Sequence, residues 1–535
     1  MVDISLGVHK MKLVGLGALG LFGTFGCGME PGQKESLMAG DSAFDIDPAD
    51  EFVGSTDGSD DEAGEGGGGA PPPGSSDDTD GTDVPPASEG DEEPSEGSDS
   101  TDGTDDRVED GSDSVDPTDL LTFSSYVIST KRGASWLTPI DIDSDGYDEY
   151  LMTSMTEGLG ASIPPIGPGG AYVLGRTASS APTGLGTWEL TKAFDYWDGI
   201  IWPNKSTVFD INNDGIKDWV IGCGFLARPQ GNILWMAGEM NDGVLSFGAP
   251  QYVDIPDSSR WYHKVLPLDI DGDGDMDFVT TNHNKTVFEE GTGIVEWYEN
   301  NGVPGEVSLT RHEIAEGGGA LLALFDVDGD GDQDVILPQF FEGESLVWME
   351  QTGLTTPWVR HVINDNTGRG FGAEMADMNG DGRLDLVYGN HNHQLSTVAD
   401  EKVMGIYWWE IPPAGEVRDL ADWDANMNVV FEGFEIDSPD VDAEGAPGVV
   451  HTGDVNGDGR MDVSASGDGD DGVYVFIQQE DGTFVENLID SGLTMAGDHV
   501  MTDLDLDGDM DFMWAVFGTT GLLGAESTVY AYLQD

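Results

Sequence analysis

The stretch DIDGDGDMDF, residues 269–278, places five aspartates within nine positions. Like charges packed that closely repel one another and weaken any strand they occupy. A bound cation removes the repulsion. The stretch also does not stand alone. DIDSDGYDE begins at Asp141, DINNDGIKD at Asp210, DVDGDGDQD at Asp326, DMNGDGRLD at Asp377, DVNGDGRMD at Asp454 and DLDLDGDMD at Asp503. The seven copies start 49 to 77 residues apart, with Gly at position 6 each time.

Positions 1, 3, 5 and 9 carry oxygen side chains throughout. They are Asp141, Asp143, Asp145 and Glu149; Asp210, Asn212, Asp214 and Asp218; Asp269, Asp271, Asp273 and Asp277; and Asp326, Asp328, Asp330 and Asp334. The last three sets are Asp377, Asn379, Asp381 and Asp385; Asp454, Asn456, Asp458 and Asp462; and Asp503, Asp505, Asp507 and Asp511. Ca²⁺ takes six to eight oxygens in a flexible shell. A tight loop turns side chains 1, 3 and 5 inward, and glycine at 6 adopts a conformation other residues avoid. The carbonyl at 7 and the carboxylate at 9 complete the set.

An EF-hand needs Glu at position 12 and flanking helices. Position 12 here is Met152, Ile221, Thr280, Leu337, Tyr388, Ala465 or Trp514, each in strand-like sequence. A metal-free Asp-Gly hairpin turn explains a single copy equally well. Seven copies in register favour calcium, up to seven ions.

Each loop lies between two strand-like runs. In the third copy HKVLPL (263–268) precedes it and DFVTTN (277–282) follows, with GIVEWYEN (293–300) and VSLTRHEIA (307–315) beyond. Four strands in a repeating unit of this size predict a propeller blade. The expected fold is an all-β, seven-bladed propeller over 119–535. The chain stops at STVYAYLQD (527–535), a third strand, while LTFSSYVIST (121–130) precedes the first blade. Strand 121–130 is therefore expected to complete the last blade and close the ring, which removes exposed sheet edges.

Motif and blade register resemble FG-GAP/VCBS repeats, the family that includes the integrin alpha-subunit propeller. The resemblance implies calcium in the loops joining first and second strands, on one face of the disc. It also implies that ligands meet the opposite face. That face would receive the NHN and NHNH segments, with Asn282, His283, Asn390, His391 and His393. Residues approaching the first strands reach it too: Arg260, Trp261, His263, Arg369, Phe371, His451 and His499. A glycan or protein ligand suits such polar and aromatic groups. The competing reading makes these residues ordinary loop and core groups. His312 and His361 recur at equivalent fourth-strand positions, and Trp235, Trp297, Trp348, Trp408 and Trp409 recur on third strands. Recurrence at one blade position predicts packing between blades.

The 535 residues carry 103 acids against 21 Lys and Arg, a net charge of −82. So acidic a surface repels nucleic acid. Residues 41–118 hold 27 acids and one base, Arg107, with few large apolar side chains. Such a segment cannot offset its ordering entropy. Residues 28–118 therefore read as an acidic, disordered linker, and 119–535 keeps a net −56.

Residues 1–27 read as an export signal: Lys10 and Lys12, then the apolar LVGLGALGLFGTFG (13–26), then Cys27. The run is short for a membrane span. It resembles a bacterial lipoprotein signal whose cysteine is lipidated, with Thr24 where that family usually has Leu. The expected location is the outer membrane, cell surface or medium, with membrane contact only through a lipid anchor. Cys223 is the remaining cysteine, so the mature chain forms no internal disulfide. The chain is expected to be a monomer. A binding or adhesion module is the first functional reading. A polysaccharide lyase or glycoside hydrolase using the Asn/His loops is the second. No nucleophile elbow, phosphate-binding glycine loop or zinc-protease helix is present.

Overall fold

The computed structural model describes residues 120–535 except 132, 156–168, 178–183, 225–230, 254–259, 284–292, 341–344, 355–356, 392–403, 435–445, 469–471, 494 and 519–527. The expected signal segment with Cys27 and the expected linker lie outside the described residues, as does His393.

Seven antiparallel four-stranded blades form the fold. Blade three shows the plan: Trp261–Leu268, Asp277–His283, Gly293–Asn300 and Leu309–Glu316 pair in chain order. The first strands of the seven blades are Ala134–Ile140, Pro203–Phe209, Trp261–Leu268, Ala323–Phe325, Gly370–Ala376, Ala446–Gly453 and Met495–Thr502. Second strands are covered on both faces, as in Asp334–Pro338 and Asp385–Asn390, where every residue is buried. Their near-continuous apolar sequences follow from that position.

Among the described residues an apolar cluster fills each of the seven junctions between blades. Ile336 and Trp348 of blade four pack with Leu386 and Trp409 of blade five. Met152 and Leu174 of blade one pack with Met513 and Ala531 of blade seven. The recurrent third-strand tryptophans belong to these junctions and are at most 9% exposed. His312 stacks on Trp297 at 4.5 Å and His361 on Trp348 at 4.4 Å, each bonded to a glutamate of the third strand.

The ring closes as the two chain ends predict. Phe123–Ser129 pairs antiparallel with Thr528–Gln534, so the N-terminal strand is the fourth strand of the last blade. The Asp535 N–H donates to Thr122 O (2.9 Å) at the end of that ladder. Hydrogen bonds among the inner strands join successive blades. Thr138 Oγ1 reaches Ser206 O (3.1 Å), and Thr207 Oγ1 reaches Val265 O (2.7 Å). The Leu321 N–H donates to Phe371 O (3.0 Å).

Two local departures have no counterpart in the repeat. In blade two, Gly238–Asn241 and Val244–Phe247 form a separate hairpin, and the fourth strand shrinks to Gln251–Tyr252. In blade five a short helix, Leu420–Ala425, capped by Asp419, precedes the fourth strand. No helix among the described residues is long and apolar enough to cross a membrane.

Candidate functional site

Every acidic loop joins the first strand of a blade to its second. Glycine at position 6 holds φ between 86° and 104° in all seven. Position 4 is also left-handed in all seven, including Ser144, Asn213 and Leu506, a demand the sequence pattern does not announce. These turns expose a nest of backbone N–H groups to the loop's own carboxylates. In each loop the position-1 carboxylate accepts the N–H groups of positions 5 and 6; Asp269 takes Asp273 at 3.1 Å and Gly274 at 3.1 Å. Position 5 in turn accepts the N–H of position 7, as Asp273 does from Asp275 (2.9 Å). The side chains therefore turn inward over their own loop.

Position 9 begins the second strand and is buried. Its Oδ2, or Oε2 in Glu149, accepts the N–H of position 2 at 2.8–3.1 Å in all seven loops. In five loops Oδ1 also accepts an N–H beyond the third strand or at its end. The donors are Gly238, Asn300, Gln351, Gln478 and Gln534. This carboxylate ties three strands of the blade together. Burial pushes its pKa up, to about 6 in Asp218, Asp277, Asp385 and Asp462 and to about 7 in Asp334 and Asp511. A nearby divalent cation opposes that shift and restores the charged form.

Four loops bring three carboxylates to a common centre, with ligand oxygens within 4.8 Å of one another. They are Asp141, Asp143 and Glu149; Asp269, Asp271 and Asp273; Asp326, Asp328 and Asp334; and Asp503, Asp505 and Asp511. Those are the loops with Asp at position 3; Asn212, Asn379 and Asn456 replace it in the other three. The donors are all hard oxygens, and the crowding is unrelieved: burial and then neighbouring acids raise Asp505, and burial, Asp507 and Asp505 raise Asp509 to about 6. An all-oxygen set of this density fits a hard divalent cation. Two loops already hold a cation of their own. Arg418, just ahead of the short helix, bonds Asp328 and also Glu350 (2.6 Å). Arg460 pairs with Asp458 inside the sixth loop.

The residues expected on the opposite face divide by burial. Asn390 is fully buried, donating to Thr367 O (2.5 Å) and accepting the Gly405 N–H (2.7 Å), so its amide ties the end of the second strand to the approach of the first and the start of the third. Asn282 is 1% exposed, and among the described residues its amide makes no hydrogen bond. His391 is 2% exposed, its ring against Phe340 (5.3 Å) and Phe371 (5.7 Å), and its N–H donates to Arg369 O (2.5 Å). Arg369 also reaches Phe340 O (3.3 Å). His283 ends the second strand of blade three, two blades from His391. Arg260 directly precedes the first strand of that blade, where Trp261 and His263 are buried with rings 4.9 Å apart.

A second polar cluster lies on the inner strands, and sequence reading found only its histidines. Six first strands carry a β-bulge at the same height. Bulges re-aim side chains. Here they hold Lys205, Lys264 and Asp498, each five residues before position 1 of its loop. Asp498 is fully buried and accepts the Leu137 N–H (3.0 Å), the Lys205 ammonium and His451 Nε2 (3.1 Å). Lys205 Nζ also donates to Leu137 O (3.0 Å), and His451 Nδ1 faces Glu374 (3.5 Å). Asp498 is held well below the usual carboxylate range by Lys205 and His451, against its burial. Glu374 and Asp498 raise His451 to about 9, against its own burial. His499 is a buried neutral ring stacked on Trp514 (3.8 Å) and bonded to Ser464 Oγ (2.6 Å). A lysine recurring at one repeat position in so acidic a chain was the available signal.

A family model described as FG-GAP-like repeat matches residues 210–280, 326–388 and 433–514. The chain thus carries FG-GAP-like repeats, and the matched segments cover six of the seven acidic loops. No curated protein matches the sequence. Among solved structures, an inhibitor complex of a mutant alpha-L-arabinofuranosidase from Fusarium graminearum aligns at 10% identity and a TM-score of 0.39. A Penicillium chrysogenum alpha-L-arabinanase complexed with arabinobiose aligns at 11% identity and a TM-score of 0.38. Each alignment covers 78% of this chain and 97% of the other. Likeness at that level carries no argument about activity.

Proposed function

We propose that the chain is a calcium-stabilised propeller, exported and tethered through a lipidated Cys27, that acts as a ligand-binding or adhesion module at the cell surface. The observation that carries the calcium part is the convergence of three carboxylates in each of four loops. In a chain with no internal disulfide, bound ions fasten the hairpins, and each stabilises the fold by mass action. Loops one, three and seven, with Asp at position 3 and no arginine on their carboxylates, bind most strongly. Arg418 and Arg460 compete with calcium in the fourth and sixth.

The binding reading is better supported than a lyase or hydrolase. Catalysis on a glycan needs an acid or base within reach of substrate. His391 is packed between two phenylalanines, and the Asp498 carboxylate is taken up by three donors. Probing a glycan and matrix-protein array with the calcium-loaded protein, beside a turnover assay on acidic polysaccharides, tests this. Capture without turnover is expected. Turnover abolished by a single His391 or His451 substitution contradicts it.

A further inference from the structure

The axial cluster has cationic donors to spare. Lys264 stands at the same bulge height as Lys205 on the next inner strand, within electrostatic reach of Lys205, Glu374 and Asp498. Yet among the described residues its ammonium makes no hydrogen bond or ion pair, whereas Lys205 spends two of its three donors. Lys264 is half-buried and its ammonium keeps solvent access, so it is open to an anionic partner. Burial, with Lys205 alongside, holds Lys264 down to about 8. Glu374 Oε2 is buried and accepts no hydrogen bond. The cluster therefore lacks one acceptor and one donor. The chain has 21 Lys and Arg against 103 acids, and two of the lysines stand at one height on inner strands.

We propose that the axis of the ring is a binding site for a small hydroxylated oxyanion, whose anionic group is taken by Lys264 and the spare donor of Lys205 and whose hydroxyl donates to Glu374. The inference rests on the ligand-binding reading and narrows it to one place and one chemistry. A carboxylate with a neighbouring hydroxyl and a monoprotonated phosphate ester both meet it. A neutral sugar supplies the hydroxyl and leaves Lys264 unpaired. The bulges give the site its form: without them Lys205, Lys264 and Asp498 would follow the plain alternation of their strands.

The test uses the full chain, calcium-loaded, with galacturonate, methyl phosphate and galactose as probes in calorimetric titrations. One equivalent of galacturonate or methyl phosphate binds and galactose does not; the tighter of the two identifies the source of the oxyanion. Lys264→Gln weakens binding roughly tenfold or more, the loss expected for a charge-assisted hydrogen bond. Lys264→Arg retains binding. In the unmodified protein, the bound anion protects Lys264 from reductive methylation, read by peptide mass spectrometry, so the test survives a variant that misfolds. No heat with either anion, or methylation of Lys264 unchanged by them, overturns the proposal. Capture on a glycan array with Lys264 unprotected also overturns it, while leaving the binding module standing.

Discussion

Asp277 carries the sharpest prediction about the loops. Its carboxylate accepts the Ile270 N–H (3.1 Å) on one oxygen and the Asn300 N–H (2.7 Å) on the other. The residue is fully buried. Asp277→Ala strands two interior backbone donors, each a loss of roughly 1–3 kcal/mol, so roughly 2–6 kcal/mol in all before any metal is considered. Asp273 makes the control. It is exposed, and its carboxylate accepts only the Asp275 N–H (2.9 Å). Differential scanning calorimetry of both variants, in calcium and in excess EDTA, separates the two roles. Asp277→Ala melts below the unmodified protein in both conditions. Asp273→Ala melts below it in calcium and matches it in EDTA. Equal melting temperatures for the two variants in EDTA would refute the claim that position 9 is a structural tie as well as a ligand.

Three further outcomes follow from the geometry. His451 faces Asp498 and Glu374, with His499, Lys205 and Lys264 nearby, and its pKa is raised to about 9. Raised folded pKa means the stabilisation, roughly 3 kcal/mol, is complete below pH 6.5 and lost as pH rises through about 9. The melting-temperature gap between the unmodified protein and His451→Gln is therefore widest near pH 6 and closes above pH 9. Deleting residues 120–131 bares the Thr528–Gln534 edge, so light scattering shows association and the melting temperature falls. Cys223 is fully buried with its thiol pushed up to about 12, so a thiol reagent labels it only at the rate of unfolding.

Blade plan and acidic loops were legible because both are local. A nine-residue spacing fixes which side chains can face one centre, and the alternation around it fixes the strands. Ring closure was legible from arithmetic at the chain ends, where a missing fourth strand matched a surplus one. The axial cluster was not. Lys205 and Asp498 are 293 residues apart in sequence and meet only because the ring closes. Asn390 shows the opposite error of emphasis: a polar residue in a loop-like NHNH segment proves to be the buried acceptor for Gly405. Polarity alone cannot distinguish an amide that binds a ligand from one that satisfies backbone. The left-handed position 4 was hidden where Ser144, Asn213 and Leu506 stand in place of glycine.

Calcium titration of the metal-stripped protein, with melting curves recorded at each step, addresses the central claim most directly. Several ions bound per chain, with the melting temperature climbing many degrees as the loops fill, is the predicted result. Melting curves that superimpose from metal-free to saturating calcium, with no heat of binding, contradict it.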